Sequence, residues 1–287
     1  METVKPRIAR ANHDRVFLRR QSISSAALAA ITLCSLACTE YAPASDTLEE
    51  TVDGMLNAGD TPTGGNWSCL SDVGSGPNMV PMSTVNAPAA TYVLPLIDFV
   101  TGMPPTTARG RACARVDVDC SNPLTENLMV SREGALVLPL FEGFDGFVEV
   151  ESEGMLPALF FLNAPLSGNT QSFPAYLIPI ASAVGLSQSL GVPLDERFGT
   201  IGFWALDCGG LPAEGVVISN DAGGLGYYFV DGLPAFPAGT VDGIGGFLHV
   251  PPGRVLLRGV LSSSGQTIGV QSLAVRGGWI SVSNLQP

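Results

Sequence analysis

Glycine and proline interrupt this chain at short intervals along most of its length. The 287 residues include 34 glycines and 22 prolines, about a fifth of the total against a usual ~12%. Neither residue suits the interior of a long helix, whereas both are common in the turns that join strands. Because 46% of the chain is hydrophobic and only 14% is charged, it has enough apolar residues for a folded core. The composition predicts a turn-rich, all-β protein.

The first 37 residues have the composition of an export signal. Six basic residues precede position 21, and an uncharged, mainly apolar segment follows from Gln21 to Ala37. A basic head followed by an apolar segment is typical of a secretory signal peptide. Serine and threonine dilute this segment, which therefore suits a signal better than a spanning helix. We expect residues 1–37 to form a signal peptide and the protein to be exported.

The segment Ser35-Leu36-Ala37-Cys38 resembles the lipobox of bacterial lipoproteins, whose cysteine receives lipid. Its leucine stands one residue away from the usual position. Lipidation of Cys38 is favoured over plain cleavage nearby and over an uncleaved anchor. Residues 38–66 contain clustered acids with scattered glycine and proline, a composition that predicts a disordered tether.

Loss of the signal leaves a strongly acidic chain. It has eight arginines, 24 acidic residues and no lysine, which gives a net charge of −16. Such a surface repels nucleic acid and anionic lipid headgroups, so nucleic acid is not an expected partner. Without lysine, the exported chain also lacks the equipment for Walker-type phosphate loops and Schiff-base chemistry.

Two stretches about 110 residues apart have similar sequence patterns, which indicates an internal repeat. Gly102-Met103-Pro104 parallels Gly210-Leu211-Pro212, and Gly134–Pro139 parallels Gly246–Pro251. Strand-like segments flank these turns in both copies: Tyr92–Val100 and Gly146–Glu151 in the first, Thr200–Asp207 and Arg254–Val260 in the second. Short strands separated by such turns are typical of Greek-key sandwiches.

We therefore predict two tandem β-sandwich modules, at residues 67–165 and 198–287, with a helical linker at 166–197 between them. Apolar residues between Phe173 and Leu190 roughly follow helical spacing. Gly191-Val192-Pro193 should end this short helix.

Four segments carry a resemblance to a known family. They are Ala108–Cys113 and Gly143–Val150 in the first copy, and Leu206–Val216 and Gly246–Gly253 in the second. They resemble the transthyretin-like, carboxypeptidase regulatory-like modules that are repeated in secreted proteins of Gram-negative bacteria. The resemblance spans roughly the two predicted modules. It implies prealbumin-like β-sandwiches without catalytic residues, at the outer membrane, on the cell surface or in the periplasm.

Apart from Cys34 in the signal and Cys38, the chain has four cysteines: Cys69, Cys113, Cys120 and Cys208. An even number in an exported protein predicts two disulfides, with three possible pairings. The short, hairpin-like segment between Cys113 and Cys120 favours that pair and leaves Cys69 for Cys208.

No metal site or cofactor is predicted. Zinc sites commonly use Cys-x-x-Cys pairs and histidines, and the chain beyond the signal has no such pair and one histidine. Asp117, Asp119 and Asp242 could supply oxygens to calcium, but none belongs to an EF-hand loop. Solvated turns are the favoured interpretation of these aspartates.

The same histidine, His249, would have to serve as the general base of a Ser-His-Asp hydrolase. No Gly-x-Ser-x-Gly segment accompanies it, and we interpret it as an ordinary surface or hairpin residue. Glu149 and Glu151 alternate along one strand and should point outward rather than pair as catalytic acids. We predict that the protein is not an enzyme.

Trp279, Tyr227 and Tyr228 are the candidate ligand-binding residues. Trp279 alternates with Ser281 and should lie on the polar face of its strand, where a ring can stack on a sugar or cover a partner. Packing against the linker helix or the other module is the favoured alternative for Trp279. Trp204 is predicted to belong to the core.

Together these patterns predict a non-enzymatic lipoprotein of the cell surface or periplasm with a structural or adhesive role. Its partner would be an unknown protein or glycan, and its lipid would hold it to the membrane. A carbohydrate-binding module that uses exposed aromatic residues is the alternative.

Overall fold

A computed structural model describes residues 64–70, 87–237 and 239–287. The predicted signal, Cys38 and most of the predicted tether lie outside the described residues. Within the described part, no helix is long and apolar enough to cross a membrane. The one helix there is α1, Ile180–Ser189. The strands are β1 Ala89–Asp98, β2 Arg109–Ala114, β3 Thr125–Met129, β4 Ala135–Phe141, β5 Gly146–Glu151, β6 Ala158–Phe161, β7 Thr170–Gln171, β8 Ala175–Leu177, β9 Gly199–Ala205, β10 Val216–Asn220, β11 Leu225–Val230, β12 Leu233–Ala235, β13 Ile244–Val250, β14 Gly253–Leu261, β15 Thr267–Val275 and β16 Ile280–Leu285.

The strands form three sheets, and both halves of the chain contribute to the largest. A nine-stranded central sheet has the order β12-β11-β13-β9-β16-β6-β5-β2-β3. One small sheet has the order β4-β1-β7, with β8 also paired to β1, and the other has the order β10-β14-β15. The protein is therefore all-β, as predicted.

The two halves repeat one set of strand pairings. In the first half β1 pairs antiparallel with β4 and parallel with β7, while β5 pairs antiparallel with β2 and β6. In the second half β9 pairs in the same senses with β13 and β16, while β14 pairs with β10 and β15. Two tandem Greek-key sandwiches are thereby confirmed.

The sandwiches are fused because the second sheet of the first module continues into the first sheet of the second module. Strand β16 makes this junction, since it pairs in parallel with β6 on one side and with β9 on the other. The small sheets cover opposite faces of the central sheet. Val148 packs in the same core as Leu136 of β4, whereas its neighbour Phe147 shares a core with Leu257 of β14.

Strand β5 is buried on both faces, which corrects one expectation. Glu149 is 3% exposed instead of pointing into solvent, because the second module covers that face of the sheet. Its two oxygens lie 2.6 Å from Arg111 of β2 and 2.6 Å from Arg276, which follows β15. A buried carboxylate needs such partners to offset its lost hydration.

A second buried ion pair links the modules near the start of β5. Arg115 and Asp145 are both almost fully buried, and their side chains are 2.8 Å apart. The same guanidinium donates to the carbonyl of Ser272 in β15 at 2.9 Å and to the carbonyl of Leu162. One side chain of the first module thus satisfies backbone groups in both modules.

The segment predicted as a helical linker is only partly helical. Its start instead supplies strands β7 and β8, which extend the first sandwich to Leu177. Pro179 is the N-cap of α1, since a proline disfavours helical backbone in the residue before it and cannot donate an N–H. The helix ends before Gly191, whose φ is +71°, as the sequence predicted.

The turn glycines show the true offset of the repeat. Gly134 precedes β4 with a φ of +80°, and Gly243 precedes β13 with a φ of +69°. In the predicted repeat, Gly134 corresponds to Gly246 instead. Gly246 lies inside β13, where an added Cβ would stand 2.4 Å from the carbonyl oxygen of Ile201.

The Arg276→Ala variant tests the ion pair between the modules. It removes one of two cations from the buried Glu149, while Arg111 stays bonded to the same carboxylate. The loss should therefore be about 1.5–3 kcal/mol, the usual value of one hydrogen bond to a charged group, and less than for a carboxylate left with no partner. Denaturant titration should show that loss in the free energy of unfolding. Arg109→Ala is the control, because it breaks an exposed pair with Glu151, also on β5, which is worth at most about 1 kcal/mol. Equal losses in the two variants would contradict the prediction.

Candidate functional site

The four cysteines lie in two disulfides, in the pairing that the sequence favours. Cys113 and Cys120 close a loop at the end of β2, with their Cα atoms 5.4 Å apart. Cys69 and Cys208 join the segment 64–70 to the second module, with their Cα atoms 5.9 Å apart.

The Cys113–Cys120 pair also lies beside Glu149. Bonded sulfurs and a carboxylate held by two arginines leave this cluster no free metal ligands.

Asp207 reinforces the Cys69–Cys208 bridge. Its carboxylate accepts hydrogen bonds from the backbone N–H groups of Asn66 at 2.7 Å, Gly209 at 2.8 Å and Leu211 at 3.0 Å. Burial raises the pKa of the Asp207 carboxyl, but the backbone N–H donors together outweigh burial and lower that pKa below its usual value. The carboxylate is therefore a structural acceptor that holds the segment 64–70 against the second module.

His249 has a structural environment. Its Nε2 lies 2.6 Å from the carbonyl oxygen of Pro193, and its ring stacks on Phe198 with centroids 5.2 Å apart. Among the described residues, no serine or cysteine is hydrogen-bonded to His249. The contact instead holds the residues after α1 against the end of β13.

Two of the three aspartates considered for calcium accept backbone hydrogen bonds in turns. Asp117 accepts the backbone N–H groups of Ser121 at 2.9 Å and Asn122 at 2.8 Å. Asp242 accepts the N–H of Gly232 at 3.0 Å. These bonds are typical of aspartate side chains in turns.

The three aromatic residues predicted to bind ligand lie in or against the core. Tyr227 and Tyr228 are 4% and 9% exposed, because α1 and the second small sheet cover the two faces of β11. The face of β16 that carries Ser281 is also buried, rather than polar and open. Trp279 precedes β16 and is half-buried, with the Arg276 guanidinium 5.2 Å from its ring. These residues do not form an open binding surface.

The hydroxyl of Tyr228 closes an edge of the second small sheet. It accepts the backbone N–H of Ile218 in β10 at 2.9 Å. The neighbouring N–H of Val216 is bonded to the Thr240 hydroxyl at 3.0 Å. Capped backbone groups along β10 disfavour pairing with another chain at this edge.

Exposed aromatic rings occur instead at the junction between the modules. Tyr176 of β8, 37% exposed, stacks on Trp204 of β9 with centroids 6.1 Å apart and an angle of 27°. Phe99 meets Tyr176 edge-on at 6.3 Å. Tyr176 was not a predicted binding residue, because its spacing favoured a helix. Trp204 packs against the core as predicted but is only partly buried. Pairing between β1 and β8, not visible in local sequence, brings Tyr176 to Trp204 from the other module.

Tyr176 and Trp204 line a cavity of about 620 Å³, here called the junction groove. Residues from both modules form it, and none of the described residues that line it is acidic or basic. Amide and hydroxyl side chains provide its polar groups, including Asn163, Gln171 and Asn284. Its larger apolar residues include Phe160, Phe173, Tyr176, Trp204, Leu211 and Val282.

Comparisons with known proteins give no family assignment. No protein-family model and no curated protein sequence matches the chain. Among solved structures, the TIE protein of Bacillus anthracis is 10% identical, with a TM-score of 0.24 over 69% of this chain and 34% of its own length. The chain thus matches about a third of that protein.

Two pilin structures are similar at the same level. The minor pilin GBS52 of Streptococcus agalactiae is 8% identical, with a TM-score of 0.22 over 68% of this chain and 94% of that one. The major pilin BcpA of Bacillus cereus is 10% identical, with a TM-score of 0.25 over 66% and 69%. Scores this low assign no function to this chain.

The Asp207→Asn variant tests the structural acceptor. At pH 7 it should lower the free energy of unfolding by about 1–3 kcal/mol, because an amide accepts the three N–H groups less well than a carboxylate. A lowered pKa stabilises the fold above the unfolded value of ~3.9 and loses that effect as pH falls through the folded pKa. Wild type and variant should therefore converge in acid denaturation series. Asp242→Asn is the control, because among the described residues the Asp242 carboxylate accepts one backbone N–H, that of Gly232. A difference in the free energy of unfolding between wild type and Asp207→Asn that persists at low pH would refute the assignment.

Replacement of Tyr228 by phenylalanine tests the edge cap. The Ile218 N–H would lose its acceptor, at a cost of about 1–3 kcal/mol. Tyr227→Phe is matched in size and burial, and among the described residues its hydroxyl has no hydrogen-bond partner. Thermal unfolding should separate the two variants, and indistinguishable midpoints would count against the cap.

Proposed function

We propose that the protein is an exported, non-enzymatic component of the cell surface with a structural or adhesive role. The observation that carries this proposal is the central sheet, which runs through both modules and fuses them. Buried ion pairs and two disulfides brace the same body. A rigid, disulfide-braced body suits the presentation of a binding surface in an oxidising compartment.

The location rests on the leader of the chain. A basic and apolar signal, a cysteine at position 38 and an acidic tether would place the folded body outside the cytoplasm on a lipid. The resemblance to transthyretin-like modules further supports a Gram-negative outer-membrane or periplasmic setting. The two sandwiches agree with that resemblance in fold class.

A net charge of −16 after the signal supports partners that are neutral or basic. Nucleic acid and anionic lipid headgroups would be repelled by such a surface. The environments of His249 and Glu149 supply no general base or paired acids for hydrolysis.

Carbohydrate binding is the second candidate function. The residues predicted from the sequence to bind a ligand are unsuited to this role, because Trp279 is half-buried and Tyr227 and Tyr228 are buried. The junction groove favours it through a different set of rings, Tyr176 and Trp204, which come from separate modules.

Metabolic labelling with a fatty-acid analogue tests the anchor. We expect wild type to be labelled and Cys38→Ala to be unlabelled and released from the membrane fraction. Cys34→Ala is the matched control, since it removes a cysteine of the signal and should leave labelling intact. Equal labelling of wild type and Cys38→Ala would disprove the anchor.

A further inference from the structure

The junction groove has the features of a binding site, although nothing in the sequence pointed to it. Its volume of about 620 Å³ falls within the ~300–1,000 Å³ that is usual for ligand sites. Both modules supply its walls, so the site exists only because the central sheet fuses them. Its floor includes the buried residues Phe160 and Val282 of the adjacent strands β6 and β16.

The rings at the groove are held in place rather than free. Tyr176 is stacked on Trp204 and is also contacted by the edge of Phe99. Backbone pairing of β8 with β1 fixes the position of Tyr176, while β9 fixes Trp204 within the central sheet. Preorganised aromatic rings bind a ligand with little loss of side-chain entropy.

The charge of the groove selects among ligands. The chain is strongly acidic, yet the described lining has no acidic or basic residue. Neither a phosphate nor a carboxylate would find a cation there, and a basic ligand would find no local carboxylate. An uncharged ligand therefore suits this lining best.

The polar groups of the groove favour a ligand with many hydroxyls. Among the described residues, the side-chain amides of Gln171, Asn284 and Gln286 have no hydrogen-bond partner in the protein. The Asn163 amide oxygen is already bonded to the N–H of Asn284 at 3.2 Å, which leaves its NH2 group for a ligand. Amides offer both donors and acceptors, as hydroxyl groups require. An apolar peptide would leave several of these groups unpaired, at a cost in affinity.

We propose that the junction groove binds an uncharged glycan, with sugar rings stacked on Tyr176 and Trp204 and sugar hydroxyls bonded to the surrounding amides. This inference rests on the proposed adhesive function and specifies its ligand, because the protein would adhere by binding this glycan.

The test is a glycan array probed with the full chain, purified in detergent, and followed by calorimetry on the glycans that bind. We expect uncharged glycans to bind in preference to sialylated or uronic-acid-containing ones. Tyr176→Ala should weaken binding about tenfold, the effect of losing one ring contact. Trp204→Phe, which keeps a ring in a partly buried position, should weaken it less. Phe236→Ala is the control, since this ring is 58% exposed and does not line the groove.

Several results would overturn the proposal. The proposal fails if the wild-type protein binds no uncharged glycan. It also fails if wild type, Tyr176→Ala and Trp204→Phe bind equally and have the same melting curves. Peptide-array binding that the same variants abolish would show that the occupant is a peptide. Fatty-acid labelling at Cys38 does not depend on the groove, so a failure here is distinguishable from a failure of the anchored location.

Discussion

The fold depends on the pairing of the last strand, β16, with both halves of the chain. Because β16 hydrogen-bonds to β6 and to β9, it completes one sheet of the second module and joins that sheet to the first. A sandwich normally has solvent at the edges of its sheets. Here two such edges, β6 and β16, satisfy each other, so their backbone groups are paired and the modules cannot rotate independently.

The shared sheet also explains why charged residues are found in the interior. Once the second module covers the outer face of β5, Glu149 and Asp145 lose contact with water. Each is bonded to an arginine, Asp145 to Arg115 and Glu149 to Arg276. The fusion buries these carboxylates, and Arg276 and Arg115 offset their lost hydration. Removal of either arginine would leave a buried carboxylate poorly compensated.

Much of the local structure could be predicted from the sequence, because turns and short strands are encoded by neighbouring residues. The strand at Gly146–Glu151 and the disulfide pairing agree with expectation. Contacts set by distant pairing could not be predicted. Glu149 follows an alternating pattern that would face solvent in an isolated sandwich, and Tyr176 follows helical spacing that Pro179 and the pairing with β1 override. The residues of the groove are of this second kind, since each module holds only part of it.

The bridge between Cys69 and Cys208 has a mechanical consequence. Every strand of the first module lies within the covalent loop that this bridge closes. A pulling force that enters the chain ahead of Cys69 would pass through the sulfur atoms directly to Cys208. For a force applied between that point and the end of β16, the strands inside the loop would carry little tension along their own backbone. The load would act on the second module and on the hydrogen bonds that hold β16 to β6 and β9.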